Sequence, residues 1–386
     1  MPAGMVSAAA EAASMGYRAA LERVAFFPDL QRSVVAVSGT AALRVVNGLV
    51  SNDVSLVERG GGTYSFLLDR RGRVIVDLRV LPVPGFEGQA GDYAGGEKDP
   101  TPSTIWLDAP SSGLAALASH LDKYVPPIFA KHQPTSVAVY SLIGPLSAET
   151  LGRWEAHSGV DFGRRPDELT ALEATTVRLR RGVALLVRRE EVEGPGFDLY
   201  IDRAAAIAAS EVRDELVAVV ADTGGVIAAA SDWEILRVEA GLPRLGSELG
   251  PERLAQEAGQ DSRAISFAKG CFTGQEVVAR IHYRGHVNRH LRGLRWVSTT
   301  SAAPGSPGTT NGRADAKPAV GSTLHPVSDS AGRKPVGIVT SAVLSPRFGP
   351  IALAYIRREL EPGDTVVAAD APGAPFRVTT LPFTEW

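Results

Sequence analysis

Lys269-Gly270-Cys271-Phe272-Thr273-Gly274-Gln275-Glu276 is the stretch from which the rest of the chain can be read. Its second half, Thr273-Gly274-Gln275-Glu276, has the T-x-x-E form of a capping box, in which the two side chains satisfy backbone N–H groups of the first helical turn. Val277, Val278 and Ile281 follow as apolar positions of a short helix, and Gly285 stands where that helix should stop. The pattern places Cys271 two residues before a helix N-terminus, with Lys269 on its other side. Both neighbours stabilise a thiolate, so a reactive cysteine is expected. Unpaired N–H groups at such a start also suit an anion or a carbonyl-rich ligand. The plainer alternative is a small buried thiol beside an ordinary cap.

Outward from there, 44% hydrophobic and 22% charged residues describe an ordinary globular protein. A chain of 386 residues exceeds what one core usually serves, so two or three domains are expected. The net charge of -3 gives no global pull toward nucleic acid or anionic membrane, and neither is expected as a direct partner. Cys271 is the only cysteine, which excludes an internal disulfide or four-cysteine metal site and fits a reducing compartment. The opening MPAGMVSAAAEAASMG lacks a basic start and a sustained apolar core, so residues 1–15 read as a disordered leader. Apolar runs stop well short of the roughly 18 residues a membrane span needs, and a cytoplasmic location is expected.

Residues 33–38 alternate and are β-branched, as a strand should be, and 41–50 follow as an apolar helix. Strands at 63–68 and 73–81 are joined by Asp69-Arg70-Arg71-Gly72, whose glycine supplies a positive φ cheaply. After a Gly-, Pro- and Asp-rich loop at 84–103 come a strand at 104–107 and a helix at 113–124. A strand at 136–142, a helix at 148–156 capped by Ser147, strands at 177–189 and 196–201, and a helix at 203–222 follow. From Leu291 the chain reads as all-β, with strands at 291–297, 334–343, 351–356, 364–368 and 376–381 and a mobile Ser/Gly/Pro-rich loop at 298–317. The expected division is a first α+β domain at 16–131, open to discontinuous contributions from 230–290, and a second at 132–230. A motif-bearing segment at 231–290 completes them, and a C-terminal β-barrel occupies 291–386.

With Val278-Ala279-Arg280 and Arg284-Gly285, the 269–276 stretch resembles the signature of the YgfZ-type folate-binding proteins, relatives of the glycine-cleavage T-protein (aminomethyltransferase). Asn47-Gly-Leu-Val-Ser-Asn52-Asp53-Val54, Leu121-Asp-Lys-Tyr-Val125 and Arg237-Val-Glu239-Ala-Gly241-Leu-Pro243 resemble further elements of that family. So do Val336-Gly-Ile-Val-Thr-Ser341, Ser345-Pro346 and Ala352-Leu-Ala-Tyr355 near the C-terminus. The resemblance implies an α+β, three-domain T-protein-like fold with a C-terminal β-barrel. It implies tetrahydrofolate or a related reduced folate as ligand.

It also suggests where the folate sits. A strand of the transferase relatives carries paired acids; here Val76 stands at the first position and Asp77 at the second, so one carboxylate remains for the ligand. Otherwise Asp77 is a strand-end acid paired with a local arginine. Arg237 and Glu239 lie on a helix opened by a Ser231-Asp232-Trp233-Glu234 capping box. Arg237 is placed to receive a folate glutamyl carboxylate, or to pair with Glu239 or Glu248. Glu239, Gly270, Gly274, Gln275 and Glu276 are further expected folate contacts, with Arg280 and Arg284 for a polyglutamate tail. Cys271 and Lys269 form the thiol site. The relatives' pterin-recognising glutamate falls on Gly194, with Glu193 beside it. His282, His286 and His290 stand four apart, but Gly285 interrupts the helix and Arg284 and Arg289 add positive charge, so no stably bound metal is expected.

The resemblance further implies a role in the assembly or repair of iron–sulfur proteins, including cluster enzymes that modify tRNA, and the missing acids favour a folate-binding accessory over a catalyst. Its partners would be assembly factors or client cluster proteins. A tetrahydrofolate-dependent aminomethyl or demethylating transferase is the alternative, and a ligand-free adaptor retaining the fold is a third.

Overall fold

Thr63–Leu68 and Val74–Pro82 pair as an antiparallel hairpin that carries the site. Its turn forms for local reasons: Gly72 takes φ +72°, and Asp69 Oδ1 accepts from the N–H groups of Arg71 and Arg73 at 2.7 and 2.9 Å. The computed structural model describes residues 15–83, 104–189, 191–192, 194–202, 206–297, 317–327 and 334–384. Residues 1–14, the loop at 84–103, Glu193 and nearly all of the loop at 298–317 lie outside the described residues.

The hairpin is one edge of an antiparallel five-stranded sheet that continues through Thr104–Pro110, Arg32–Ser38 and Lys131–Pro134. Helices Ala42–Leu49 and Leu114–Tyr124 close one face, where Val46, Leu49, Leu117 and Leu121 pack on Val76, Leu78 and Val80. The opposite face meets a second sheet through a cluster containing Val34, Trp106, Leu185 and Tyr200. That seven-stranded sheet runs from Val226–Ile227 through Ala25–Phe27, Val137–Ile143, Gly196–Asp202, Val183–Arg189 and Ala174–Arg178 to Asp161–Phe162. Ala25–Phe27, from the start of the chain, thus pairs with strands far along the sequence. Helices Ser147–Ser158 and Ala206–Asp222 cover its outer face with Leu151, Trp154, Val212 and Leu216.

Six strands close the C-terminal barrel, in the order Arg289–Trp296, Gly349–Arg357, Gly337–Ser345, Thr323–Pro326, Thr365–Ala368 and Ala371–Thr379. Helix Ala230–Glu239 joins the parts: Ile235, Leu236 and Val238 share one core with Phe27 of the second sheet and Leu353 and Tyr355 of the barrel. The architecture is therefore α+β with a closed C-terminal barrel, as the sequence predicts.

Several local expectations are corrected. The strand expected at 177–189 is a hairpin, Ala174–Arg178 and Val183–Arg189, turning where Gly182 adopts φ +89°. Ser147 is the first helical residue and makes no cap; Leu146 precedes it. Thr323–Pro326 adds a strand the sequence did not suggest, being four residues long and ending in proline.

Candidate functional site

A cavity of about 330 Å³ lies where the hairpin, the second sheet and helix Ala230–Glu239 converge. Asp77 and Arg237 both line it, together with Tyr64, Arg79, Glu191 and Trp233. Strand register sets the first contributions: Asp77 stands opposite Phe66 and Arg79 opposite Tyr64, so Tyr64, Asp77 and Arg79 reach the same side of the hairpin.

Behind the cavity is a buried charge network. Arg79, 1% exposed in its side chain, pairs with Asp108 and Asp198 at 2.6 Å each and donates to the Tyr200 hydroxyl at 2.8 Å. Arg32 holds the other Asp108 oxygen at 2.7 Å, Arg189 reaches Asp198 at 3.1 Å, and Ser141 donates to Asp198. Burial of this kind is tolerated only because each charge has charged and hydrogen-bonding partners. The net result joins the two sheets.

Two carboxyls face the cavity, and their surroundings push them apart. Burial raises the pKa of Asp77, against the opposing pull of Arg32. Tyr64 donates to its Oδ2 at 3.3 Å, while Oδ1 is buried without any partner. For Glu191 burial pulls upward too, but Arg189, Arg79 and Arg263 outweigh it and hold the carboxyl well below the usual range. Arg189 pairs with Glu191 at 2.6 Å and stacks its guanidinium 4.7 Å from the Trp233 ring centre. Arg263 lies 5.0 Å over the Tyr64 ring. A ligand entering therefore meets a free acceptor, two aromatic side chains and an arginine-rich rim.

Arg237 is 2% exposed, and its five N–H donors are all engaged. Nε and one Nη2 hydrogen go to the two Glu234 oxygens, and the other Nη2 hydrogen goes to Ser341 Oγ at 2.6 Å. Nη1 serves Leu242 O at 3.0 Å and Glu248 at 3.3 Å. No donor is left for a ligand carboxylate; the residue ties its helix to the barrel. Glu234 is free to take that part because the expected Ser231–Glu234 capping box does not form. Asp232 accepts from the Ala229 N–H instead, at 2.9 Å. Glu239 accepts from Tyr17 of helix Met15–Glu22 at 2.9 Å and from Ser345, and so binds that helix to the barrel.

The 269–276 stretch lies elsewhere. Its helix is Gln275–Arg284 with Gly274 as N-cap at φ +86°, and no side chain caps it, so the Thr273 capping box is corrected. Threonine loses because glycine alone fits: a Cβ on Gly274 would stand 2.6 Å from Asp69 O, in the hairpin turn. Phe272 is buried with Phe66, Leu68 and Val74 of the hairpin. Lys269 Nζ donates to the carbonyls of Asn47, Val50 and Asn52 at 2.5–2.8 Å, and burial draws its pKa down to about 8. Asn52 in turn donates to Tyr64 O and Arg263 O, at 2.9 and 2.8 Å. The segment is thus a splint for the hairpin and for Arg263. Cys271 is exposed, and none of Gly270, Cys271, Gly274, Gln275, Glu276 and Arg280 borders the cavity. Helix Gln275–Arg284 ends before His286 and His290, and His282 stacks on Phe267 at 3.7 Å.

Glu191, Arg189, Arg263, Arg79, Tyr64 and Trp233 are among the lining residues that sequence reading missed. Their only signal was the charge-dense end of a strand, Arg188-Arg189, followed by Glu191.

An α+β body with an inter-sheet cavity and a closed C-terminal barrel defines a T-protein-like fold. The solved glycine cleavage system aminomethyltransferase T from Bartonella henselae has it: TM-score 0.74 over 96% of this chain and 89% of that one, at 19% identity. Residues 313–385 match the model of the glycine cleavage T-protein C-terminal barrel domain. Aminomethyltransferases of Mycobacterium leprae and Moorella thermoacetica are 27% and 28% identical, across 84% and 83% of this chain and 74% and 75% of theirs. The mitochondrial iron-sulfur cluster assembly factor IBA57 homolog of Neosartorya fischeri is 26% identical, across 85% of this chain and 69% of its own. The chain thus shares the fold of the glycine-cleavage T-protein and is similar in sequence both to aminomethyltransferases and to iron-sulfur cluster assembly factor homologs.

Proposed function

We propose that the chain binds a reduced folate, tetrahydrofolate or a close relative, in the Asp77 cavity. We further propose that it acts as a cytoplasmic accessory in the assembly or repair of iron–sulfur proteins, tRNA-modifying cluster enzymes among them. The observation that carries the folate reading is Asp77 Oδ1, a buried acceptor with no protein partner in a cavity flanked by Tyr64 and Trp233. A pterin offers N–H donors and a flat ring to match, and the arginine rim suits its glutamyl carboxylates. The cluster half draws its support from the similarity to assembly factors. Exposed Cys271 is accessible to such a partner, which must supply any further cysteine ligand because the chain has one cysteine.

Tetrahydrofolate titrated calorimetrically into the full chain should give saturable single-site heat; no heat at high-micromolar protein removes the ligand. In a strain lacking its own copy, the wild-type chain should restore a cluster-dependent enzyme and Asp77→Asn should not. Full rescue by Asp77→Asn would separate the accessory role from folate.

One observation favours folate-dependent group transfer as a second reading. Asp77 and Glu191 share the cavity with pKa values displaced in opposite directions, the arrangement acid–base catalysis uses. Glu191 is nonetheless committed to Arg189. A single-turnover assay with an aminomethyl donor would favour transfer if methylene-tetrahydrofolate accumulated.

A further inference from the structure

We propose that helix Gln275–Arg284 and the barrel rim it leads into form a docking face for a single-stranded nucleic acid. Its unpaired bases stack on Tyr283, and Arg280, Arg284 and Arg289 hold its phosphates. The face stands apart from the folate reading, since none of these residues borders the Asp77 cavity.

The face is locally basic. The chain carries a net charge of -3, yet residues 277–297 hold five arginines, three histidines and no acid. Attraction for a polyanion is therefore confined to this run. Arg280, Arg284, His286 and Arg289 are exposed, and among the described residues no carboxylate comes within ion-pair distance of the three arginines. Two acids border the face: Glu276, one turn before Arg280, and Asp261, whose carboxyl interacts with His282.

Where the helix hands over to the barrel, Arg289 stands directly opposite Arg357 across the strand pair. Like charges in register cost stability. Their hollow of about 400 Å³ also holds Glu257 and Glu359. Glu257 spends an oxygen on the Leu254 N–H at 3.2 Å, and among the described residues neither acid pairs with an arginine. Two adjacent arginines without a carboxylate suit phosphate oxygens.

The same face is built for stacking. Arg280, Tyr283 and Arg284 share one side of the helix by its 3.6-residue period, whereas Val278 packs inward with Phe272. Arg280 and Arg284 are about 6 Å apart along the axis, close to the interval between neighbouring phosphates of an extended strand. Phe267 and His282 stack at 3.7 Å with 18° between their planes, and Tyr283 meets both edge-on, at 6.3 and 4.7 Å. Tyr283 nonetheless remains 66% exposed. A ring fixed by two neighbours and still open to solvent loses little further freedom when a base stacks on it. Every base has a π face, so such a platform accepts a strand without reading its sequence. An acidic protein would match the arginines but make no use of the open ring.

The test follows fluorescence anisotropy of a short labelled oligouridylate, an oligothymidylate and an RNA duplex of equal length with the full chain. Both single strands should bind, with log K falling against log salt at a slope of about -2 for three phosphates, and the duplex at least about fivefold more weakly. Tighter binding of one strand identifies RNA or DNA as the source. Tyr283→Ala should weaken single-strand binding about tenfold with the slope kept, and Tyr283→Phe should bind like the wild-type chain. Arg280→Gln/Arg284→Gln should flatten the slope by about 1.4, two phosphates' worth, with an unchanged thermal midpoint. Arg70→Gln/Arg71→Gln, on the hairpin turn, should change neither. Absence of binding at low salt, wild-type affinity in Tyr283→Ala, or an equal loss of slope in the Arg70/Arg71 variant overturns the face. So does full displacement of the strand by an α-linked oligoglutamate of matched charge, which would assign the arginines to an acidic protein instead.

Discussion

Lys269 and Arg79 are both cations withdrawn from water, and the regions they anchor hold them in different ways. Lys269 rests on three backbone carbonyls from one neighbouring segment. Arg79 rests on acids from two sheets, Asp108 and Asp198, with Tyr200 between them. Carbonyls make a neutral, rigid seat, and the result is a splint with its exposed thiol on the outside. Paired acids make a seat that other arginines must balance, and the resulting charged wall leaves one carboxyl oxygen, on Asp77, unspent. The first region supports; the second can bind.

The largest effect should come from breaking the charged wall. Arg79→Met removes the cation shared by Asp108 and Asp198, leaving each with a single arginine, and should cost about 3–5 kcal/mol in urea unfolding as the two sheets lose their charged bridge. Lys269→Met should cost about 2–3 kcal/mol, because three carbonyls lose a charged donor, while Cys271→Ser should stay within about 0.5 kcal/mol. Equal losses for the two would mean the thiol packs as part of the splint. Gly274→Ala, at positive φ and against Asp69 O, should cost about 1–3 kcal/mol.

The smallest effects are pH slopes of opposite sign. Asp77 has a raised folded pKa, so its contribution is full below the ordinary aspartate value of about 3.9 and is lost as pH rises through the folded value. Asp77→Asn should therefore gain on wild type as pH rises above about 4. Glu191 has a depressed folded pKa, so its contribution is present above about 4.3 and lost as pH falls. The deficit of Glu191→Gln should shrink in acid. Parallel slopes in unfolding free energy against pH would show that one environment governs both carboxyls.

The splint was legible in the sequence because it is local: Lys269, Phe272 and Gly274 act within one short run on segments that also carry family likeness. Its chemistry was misread, since Thr273 and Ser231 fit the capping pattern while steric room and Asp232 decided the outcome. The hairpin and most of the barrel followed from alternation and turn glycines. The cavity was only half legible. Asp77 emerged by resemblance, but Glu191, Arg263 and Trp233 come from separate segments with no shared period, and only the folded sheets bring them together. Arg237 shows the converse: a suggestive motif whose donors turn out to be spent.

The most direct test of this division is calorimetric titration of tetrahydrofolate into Asp77→Asn and Cys271→Ser beside the wild-type chain. A cavity site predicts at least about tenfold weaker binding for Asp77→Asn, the loss of a buried charge-assisted hydrogen bond, and an unchanged Kd for Cys271→Ser. Unchanged binding by Asp77→Asn together with a loss in Cys271→Ser would contradict it and return the ligand to the 269–276 segment.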